Sequence, residues 1–388
     1  MTDRRKTAAA LLFFCGTFLL SAGETTWNEQ AVTALEEGKK PEEIVPLLRK
    51  GAEAGETDAI VNLAVYTASG SGGLNKDPRE AVRLFQLASD KGNEMAHLYL
   101  GTAYLTGQGI EKDEEKGIAL LQKAAEAGIP AACYILGRHA EQKADYAKAA
   151  GQYRAAGNAH PESLNRLGLL SFFGLGVKRS DVDALTLFLR AGDMGNASAL
   201  NNAAFVLSHR DGEEPDWKSA AVWYGKAAAL GSAAAHYNLG CLYSGGAGPE
   251  WTDPAQAVFH FEEAAKRGHA DALYRLAEAY LTGNGVEKDP EKAFELFRRA
   301  AEKDLPRAQY RLGLLYLEPD SPAGYDPTAA VYWFRRGAEN GDLPSMRELA
   351  RCLFAGKGCD PNRAEARQWL RAAAREGDVL AEQMLKEP

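Results

Sequence analysis

The sequence predicts an all-α protein, a right-handed solenoid of stacked antiparallel helix pairs. Three observations support this fold class. A string of small and apolar residues returns about every 36 residues. Within each repeat these residues lie zero, one, four, five and eight positions after the first, which places them on one face of a helix. A second helix with its own start signal follows, and one such pair must pack on its neighbours because it cannot cover its own apolar face.

The first 23 residues have the pattern of a secretory signal peptide. Three basic residues at positions 4–6 precede an apolar run, 8–20, and small residues lead up to a cleavage site after Gly23. An uncleaved membrane anchor is the alternative, but 13 residues rise only ~20 Å as a helix, short of the ~30 Å hydrocarbon layer. We therefore expect export, to the periplasm or as a secreted protein, with a mature chain that begins at Glu24.

The composition excludes several kinds of partner. The 388 residues include 45 Lys and Arg against 53 Asp and Glu, a net charge of −8. Binding to nucleic acid and to anionic membranes depends on clustered positive charge, so we expect neither. After residue 23 no apolar stretch is long enough to cross a bilayer, and the mature form is not expected to span a membrane.

The repeats fill the chain from residue 59 onward. Each begins with a small residue, and successive repeats are 31 to 37 residues apart. These first residues are Ala59, Ala96, Ala132, Ser163, Ala199, Ala235, Ala272, Ala308, Ser345 and Ala381. We expect a degenerate helix pair at 24–58, nine repeats at 59–380 and a polar capping segment at 381–388. The unit that begins at Ala132 is the short one and should turn tightly.

The second helix of a repeat has a start signal and a core stripe. Several begin with an Asp followed by Pro, a capping acceptor and a residue suited to the first turn. These pairs start at Asp77, Asp253, Asp289, Asp326 and Asp360. Three residues after the first Ala of the helix, the sequence predicts a bulky core side chain. The set is Leu84, Leu120, Leu187, Trp223, His260, Leu296, Trp333 and Trp369.

Taken together, the repeats resemble the Sel-one-like repeat (SLR) family, relatives of the tetratricopeptide repeats. The segment 272–302 nearly spells out the family pattern, with Tyr280, Gly283, Gly285 and Asp289 in place, and 96–128 is almost as close. The resemblance covers about residues 59–388. It implies a superhelix with a concave inner surface.

Alignment with the tetratricopeptide pattern implies that positions two, six and nine after the first residue of a repeat face this groove; the candidates are taken from position two and from the adjacent position three. Tyr, Asn and Arg at these positions suit an extended peptide, through rigid ring contacts and bidentate pairing with carboxylates. The candidate partner-binding residues are Tyr134, Asn165, Asn201, Asn202, Tyr237, Asn238, Tyr274, Arg275, Tyr310 and Arg311. The alternative interpretation is that these side chains only pack between neighbouring helices.

The Gly-x-Gly strings, such as Gly107 to Gly109 and Gly283 to Gly285, could be mistaken for phosphate-binding loops. A dinucleotide fingerprint needs a preceding strand and a third glycine, and a P-loop needs Gly-Lys followed by Ser or Thr. The glycines instead indicate left-handed ends of first helices. We expect no cofactor.

Four cysteines follow the signal segment. Cys352 and Cys359 are close enough in sequence for a disulfide within one repeat, and SLR proteins that are rich in cysteine bridge their repeats, which favours this pair. Cys133 and Cys241 have no local mate and are expected to be buried thiols. No zinc-binding pattern of Cys or His is present in the sequence, and we expect no metal site.

The sequence predicts a non-enzymatic scaffold or adaptor for a protein or an extended peptide. SLR proteins serve as assembly platforms, which is an analogy from fold. Two other classes remain open. A hydrolase of the penicillin-binding or β-lactamase type is disfavoured because no Ser-x-x-Lys occurs, and a glycan-binding protein would use the Tyr and Trp side chains.

Overall fold

The computed structural model describes residues 25–209 and 214–386; the predicted signal segment lies outside them. Within these ranges the secondary structure is helical, with no strand. The chain divides into two compact units, 1–191 and 192–388. In each unit consecutive helices pack against one another as antiparallel pairs joined by short loops. The predicted all-helical stack of helix pairs is confirmed.

The first unit begins with a pair ahead of the regular repeats and contains the short repeat. Its helices are α1 (Trp27–Glu36), α2 (Pro41–Glu53), α3 (Thr57–Ser69), α4 (Pro78–Asp90), α5 (Glu94–Thr106), α6 (Glu114–Glu126), α7 (Pro130–Gln142), α8 (Tyr146–Ala155), α9 (Pro161–Phe173) and α10 (Asp181–Asp193), which crosses the division between units. The α7–α8 pair belongs to the short repeat, and its second helix has only 10 residues.

The second unit contains five complete pairs and the first helix of another. Its helices are α11 (Ala197–Ser208), α12 (Trp217–Ala229), α13 (Ala233–Cys241), α14 (Pro254–Lys266), α15 (Ala270–Thr282), α16 (Pro290–Glu302), α17 (Pro306–Leu315), α18 (Pro327–Glu339), α19 (Leu343–Ala355), α20 (Arg363–Arg375) and α21 (Val379–Lys386). A π-helical turn, Leu242–Gly246, follows α13 and sets this repeat apart from its neighbours. The predicted capping segment forms most of α21.

The Asp-Pro start signals are confirmed at four of the five positions. Asp77, Asp253, Asp289 and Asp326 each cap a second helix through the side-chain carboxylate. The prediction was wrong at Asp360. There the helix begins at Arg363, and the Asn362 side chain accepts the Glu365 N–H at 3.1 Å. Asn362 stands four residues before the buried Ala366, and the other four caps stand four residues before the equivalent buried alanine of their helices. The repeat register therefore outweighs the Asp-Pro signal.

The predicted core position on the second helix is confirmed at Leu84 and Leu296, which are buried. The other six side chains are only partly buried: Leu120, Leu187, Trp223, His260, Trp333 and Trp369. The fully buried rings lie four residues after the first Ala, as in Tyr153, Phe188, Phe297 and Phe334. Three of these rings face a glycine of the first helix: an added Cβ would approach the ring to 2.5 to 2.6 Å at Gly137, Gly168 and Gly313. In these repeats the close approach of the two helices requires glycine opposite the ring.

The first glycine of each Gly-x-Gly string ends a first helix in the left-handed conformation, as predicted. Gly107, Gly174, Gly283 and Gly356 are all C-caps with φ between 68° and 76°. Across the part of the chain that the structure describes, no helix is both long and apolar enough to cross a bilayer.

Candidate functional site

The predicted partner-binding residues of the second unit line up on successive first helices. Position two of the repeat is Asn201 on α11, Tyr237 on α13, Tyr274 on α15 and Tyr310 on α17. All four side chains are partly buried. The repeat therefore brings the predicted side chains onto equivalent faces of neighbouring helices.

The tyrosine rings are held by aromatic packing. Tyr237 lies 5.9 Å from the Phe261 ring and stacks at 4.6 Å on His269, the N-cap residue of α15. Tyr274 meets the Phe297 ring edge to face at 5.3 Å. Such contacts fix the rings before any partner arrives. These tyrosine rings therefore pack between helices, as the alternative interpretation expected. Part of each ring is nevertheless open to solvent.

The polar members of this face differ in how well they are paired. Asn238 donates to the Asn201 side-chain oxygen at 2.9 Å, which links two repeats, and Asn202 also has a partner. Arg275 is exposed and pairs with Glu278 at 3.3 Å. Arg311 makes no hydrogen bond or ion pair with the residues described in either range.

Arg307 connects two of the repeats. Its guanidinium donates to Asp271 at 2.5 Å and lies 4.5 Å over the Tyr274 ring. Burial raises the pKa of Tyr274, while Arg307 and Arg311 oppose that shift. The phenol therefore stays protonated and remains a hydrogen-bond donor. We call Tyr237, Tyr274, Arg275, Arg307, Tyr310 and Arg311 the Tyr/Arg row.

Tyr134 and Asn165 belong to the first unit and are not part of this row. The Tyr134 ring lies 4.9 Å from His160 and 6.1 Å from Tyr153, and Arg138 donates to its hydroxyl at 3.2 Å. Asn165 is partly buried and has a partner. Eight of the ten candidates lie on first helices of the second unit and two on first helices of the first unit. That all ten line one groove stays a prediction.

All four cysteines after the signal segment are free thiols in this structure. Cys352 is buried, which raises its pKa to about 11, and the neighbouring Cys359 contributes to this shift. Both belong to the same apolar cluster. The thiols are neighbours and unbonded, so the disulfide stays a prediction. Cys133 is buried as expected, whereas Cys241 is partly exposed.

A histidine pair that sequence reasoning missed lies beside the row. The Nδ1 atoms of His236 and His260 are 3.1 Å apart, and the His260 ring stacks parallel to Tyr243 at 5.7 Å. The sequence assigned His260 to the core and indicated no contact with His236. Their 24-residue separation gave no sign that they touch. Within the described ranges no group of three or more His, Cys, Asp or Glu side chains is placed to hold a metal ion.

The histidine pair makes stability depend on pH. Burial and the His236 ring lower the pKa of His260 to about 4, against an ordinary value near 6.5. Burial and Arg267 also lower the pKa of His236, with Glu263 opposing. The native state thus favours neutral rings, and the stabilisation is complete above pH 6.5 and lost as the pH falls toward 4.

We therefore expect a His260→Leu variant to lose less stability on acidification. Leucine stands at this repeat position in α4 and α16, so it fits the site. Allowing for the partial exposure of the ring, the difference between the proteins should be about 1 to 2 kcal/mol between pH 7 and 4.5. Urea unfolding followed by circular dichroism at both pH values measures it. Parallel pH dependence of the two proteins would contradict the assignment.

Eight segments of the chain match the sequence pattern of the Sel1 repeat, at residues 57–93, 95–129, 161–196, 197–232, 233–269, 270–305, 306–342 and 343–378. The chain belongs to the Sel1-repeat family. Each matched segment spans one helix pair of the stack, and together they cover more than half of the chain. The α7–α8 pair of the short repeat lies between the second and third matched segments. Its membership as a ninth repeat stays a prediction.

Solved Sel1-repeat structures share this architecture. The chain is 27% identical to c5321, a protective antigen of uropathogenic Escherichia coli strains with an SLR fold, with a TM-score of 0.58 over 93% of this chain and 82% of that one. A Sel1 repeat protein from Oxalobacter formigenes is 25% identical, with a TM-score of 0.54 over 97% and 98%.

Among curated relatives, chitin synthase regulatory factor 3 of Schizosaccharomyces pombe is 27% identical over 81% of this chain. The aligned part is 32% of that protein. More broadly, the chain spans less than two thirds of the length of several curated relatives that it matches. The repeat match establishes the family, and two of these curated relatives are named as regulators of chitin synthase.

Proposed function

We propose that this Sel1-repeat chain is a non-enzymatic scaffold or adaptor of the cell envelope or extracellular space. Its partner is a protein or an extended peptide that lies along the first helices of the second unit. The observation that carries the proposal is the Tyr/Arg row, in which rings fixed by packing alternate with guanidinium groups over three consecutive repeats. Rigid aromatic area combined with charged hydrogen-bond donors is the composition of a protein-binding surface.

The relatives support a regulatory role of this kind. One is named as a regulatory factor of chitin synthase, and one solved neighbour is described as a protective antigen. A scaffold that holds or positions another protein is compatible with both descriptions. Export rests on the signal-peptide pattern of residues 1–23.

The proposal is tested by photo-crosslinking from two matched positions. A photoreactive amino acid replaces Thr282, which is exposed eight residues after Tyr274 and thus on the same face of α15. In the control it replaces Glu295, which is exposed on the second helix α16. After incubation with envelope and secreted fractions of the native cells, we expect one protein to crosslink from position 282 and not from 295.

Equal crosslinking from both positions, or none from 282, would contradict binding at this face. Helical content and the melting temperature of each variant must match those of the unmodified protein. Turnover of a chromogenic β-lactam that one side-chain change abolishes would instead support the hydrolase alternative, and specific retention on glycan columns would support the glycan-binding alternative.

A further inference from the structure

The charges near the Tyr/Arg row are unevenly paired. Four carboxylates of the surrounding first helices and loops each have a guanidinium partner: Asp271 with Arg307, Glu278 with Arg275, Glu348 with Arg351 and Asp378 with Arg347. A fifth carboxylate, that of Asp342, accepts hydrogen bonds at the N-cap of α19. Arg311 is the fifth guanidinium, and none of these carboxylates pairs with it. These five carboxylates balance the five guanidiniums in number, so the distinctive feature is a single guanidinium unpaired among the described residues, that of Arg311, in a protein whose net charge is −8.

The guanidinium of Arg275, also on the row, is easily released from its ion pair with Glu278. The Arg275 side chain is 47% exposed, and its partner Glu278 is 40% exposed on the same helix. Such an exposed pair contributes only about 0.5 kcal/mol, so an incoming carboxylate can replace Glu278 at little cost. Arg275 and Arg311 occupy the same repeat position on α15 and α17, and both project beside tyrosine rings.

Arg275 and Arg311 lie one repeat apart, on α15 and α17. A polyproline II segment advances about 9 Å in three residues and presents residues i and i+3 on the same side. Two carboxylates three residues apart are therefore the pair to test against two guanidiniums one repeat apart.

We propose that the Tyr/Arg row binds an extended acidic peptide segment, with one carboxylate on Arg311 and a second, three residues away, on Arg275. This inference rests on the proposed scaffold function and names the chemistry of its partner. Bidentate guanidinium–carboxylate bonds supply specificity, and the rings of Tyr274 and Tyr310 supply contact area at little entropic cost. The rest of the protein surface has a negative net charge and would repel an acidic peptide that approaches it elsewhere.

The test uses two fluorescently labelled peptides that differ only in charge, one with a central Glu-Pro-Pro-Glu and one with Gln-Pro-Pro-Gln. Fluorescence anisotropy at 50 mM NaCl should show at least 10-fold tighter binding of the Glu peptide to the exported chain. Raising the salt to 300 mM should reduce that preference, because exposed ion pairs are screened. Arg311→Gln and Arg275→Gln should each weaken binding of the Glu peptide about 10-fold.

Arg298→Gln is the matched control. Arg298 is 41% exposed and pairs with Glu295 and Glu302 on the second helix α16, away from the row. The Arg298→Gln variant should bind the Glu peptide with the same affinity as the unchanged protein. Equal affinity for the two peptides, or equal losses in the Arg298 and Arg311 variants, would overturn the inference.

The two proposals fail in different ways. If position 282 crosslinks a partner while the Glu peptide shows no preference, the scaffold function stands and the partner segment is not acidic. If neither result appears, both proposals fall. If the Glu peptide binds and no cellular protein crosslinks, the chemistry of the row stands and the proposed cellular role does not.

Discussion

Replacing Gly285 by alanine is expected to destabilise the second unit by about 3 kcal/mol or more. Gly285 has φ of +75°, which alone costs a residue with a side chain about 1 kcal/mol. A Cβ at this position would also stand 2.2 Å from the carbonyl oxygen of Pro254 and 2.4 Å from its carbonyl carbon. These are backbone atoms at the start of α14, so the clash cannot be relieved by rotating a side chain.

The matched control is Gly341→Ala. Gly341 has φ of +84°, and its added Cβ would meet nothing within 4 Å, so this variant should lose only about 1 kcal/mol. Both glycines lie in the second unit, and urea unfolding midpoints followed by circular dichroism compare them directly. Equal losses would mean that the backbone conformation, and not the contact with Pro254, requires glycine at 285.

This contact shows where prediction from the sequence stops. The glycine string correctly predicted a left-handed helix end at Gly283. It did not reveal that the second glycine packs on the preceding repeat, although the same contact recurs between Gly109 and Pro78 and between Gly358 and Pro327. In each case the partner lies 31 residues earlier in the chain, and only the stacking of the repeats makes them neighbours.

For the candidate site, too, the sequence predicted the repeat positions but not the packing around each side chain. The repeat register placed Tyr237, Tyr274 and Tyr310 on equivalent faces, because register follows directly from spacing. Whether a ring is buried or open depends on the second helix that packs beside it. The error of one residue in the core position, at Trp223 and Trp333, has the same origin, since adjacent positions on a helix differ by only 100° and both contain bulky side chains.

A substitution of Arg166 by methionine is expected to cost the first unit about 3 kcal/mol. Arg166 on α9 donates to the Glu141 carboxylate of α7 through Nη2 at 2.5 Å and Nε at 3.1 Å. The Glu141 side chain is only 9% exposed, and its other cationic neighbour, Arg138, is 3.5 Å away. Methionine keeps most of the apolar stem but leaves this carboxylate nearly buried and poorly paired, which costs far more than an exposed pair.

Two further variants separate the buried charge from simple loss of packing. Arg298→Met breaks exposed pairs with Glu295 and Glu302 and should change the free energy of unfolding by less than about 0.5 kcal/mol. The double variant Glu141→Gln with Arg166→Met removes both charges and should recover most of the loss, because a neutral amide costs less to bury. The buried ring of Tyr153 lies beside this pair, and its pKa is raised by burial first and by Glu141 second, so its phenol stays neutral throughout. If the double variant unfolds as easily as Arg166→Met, the carboxylate is not what destabilises the single variant, and the short repeat depends on the packing of the arginine stem between α7 and α9.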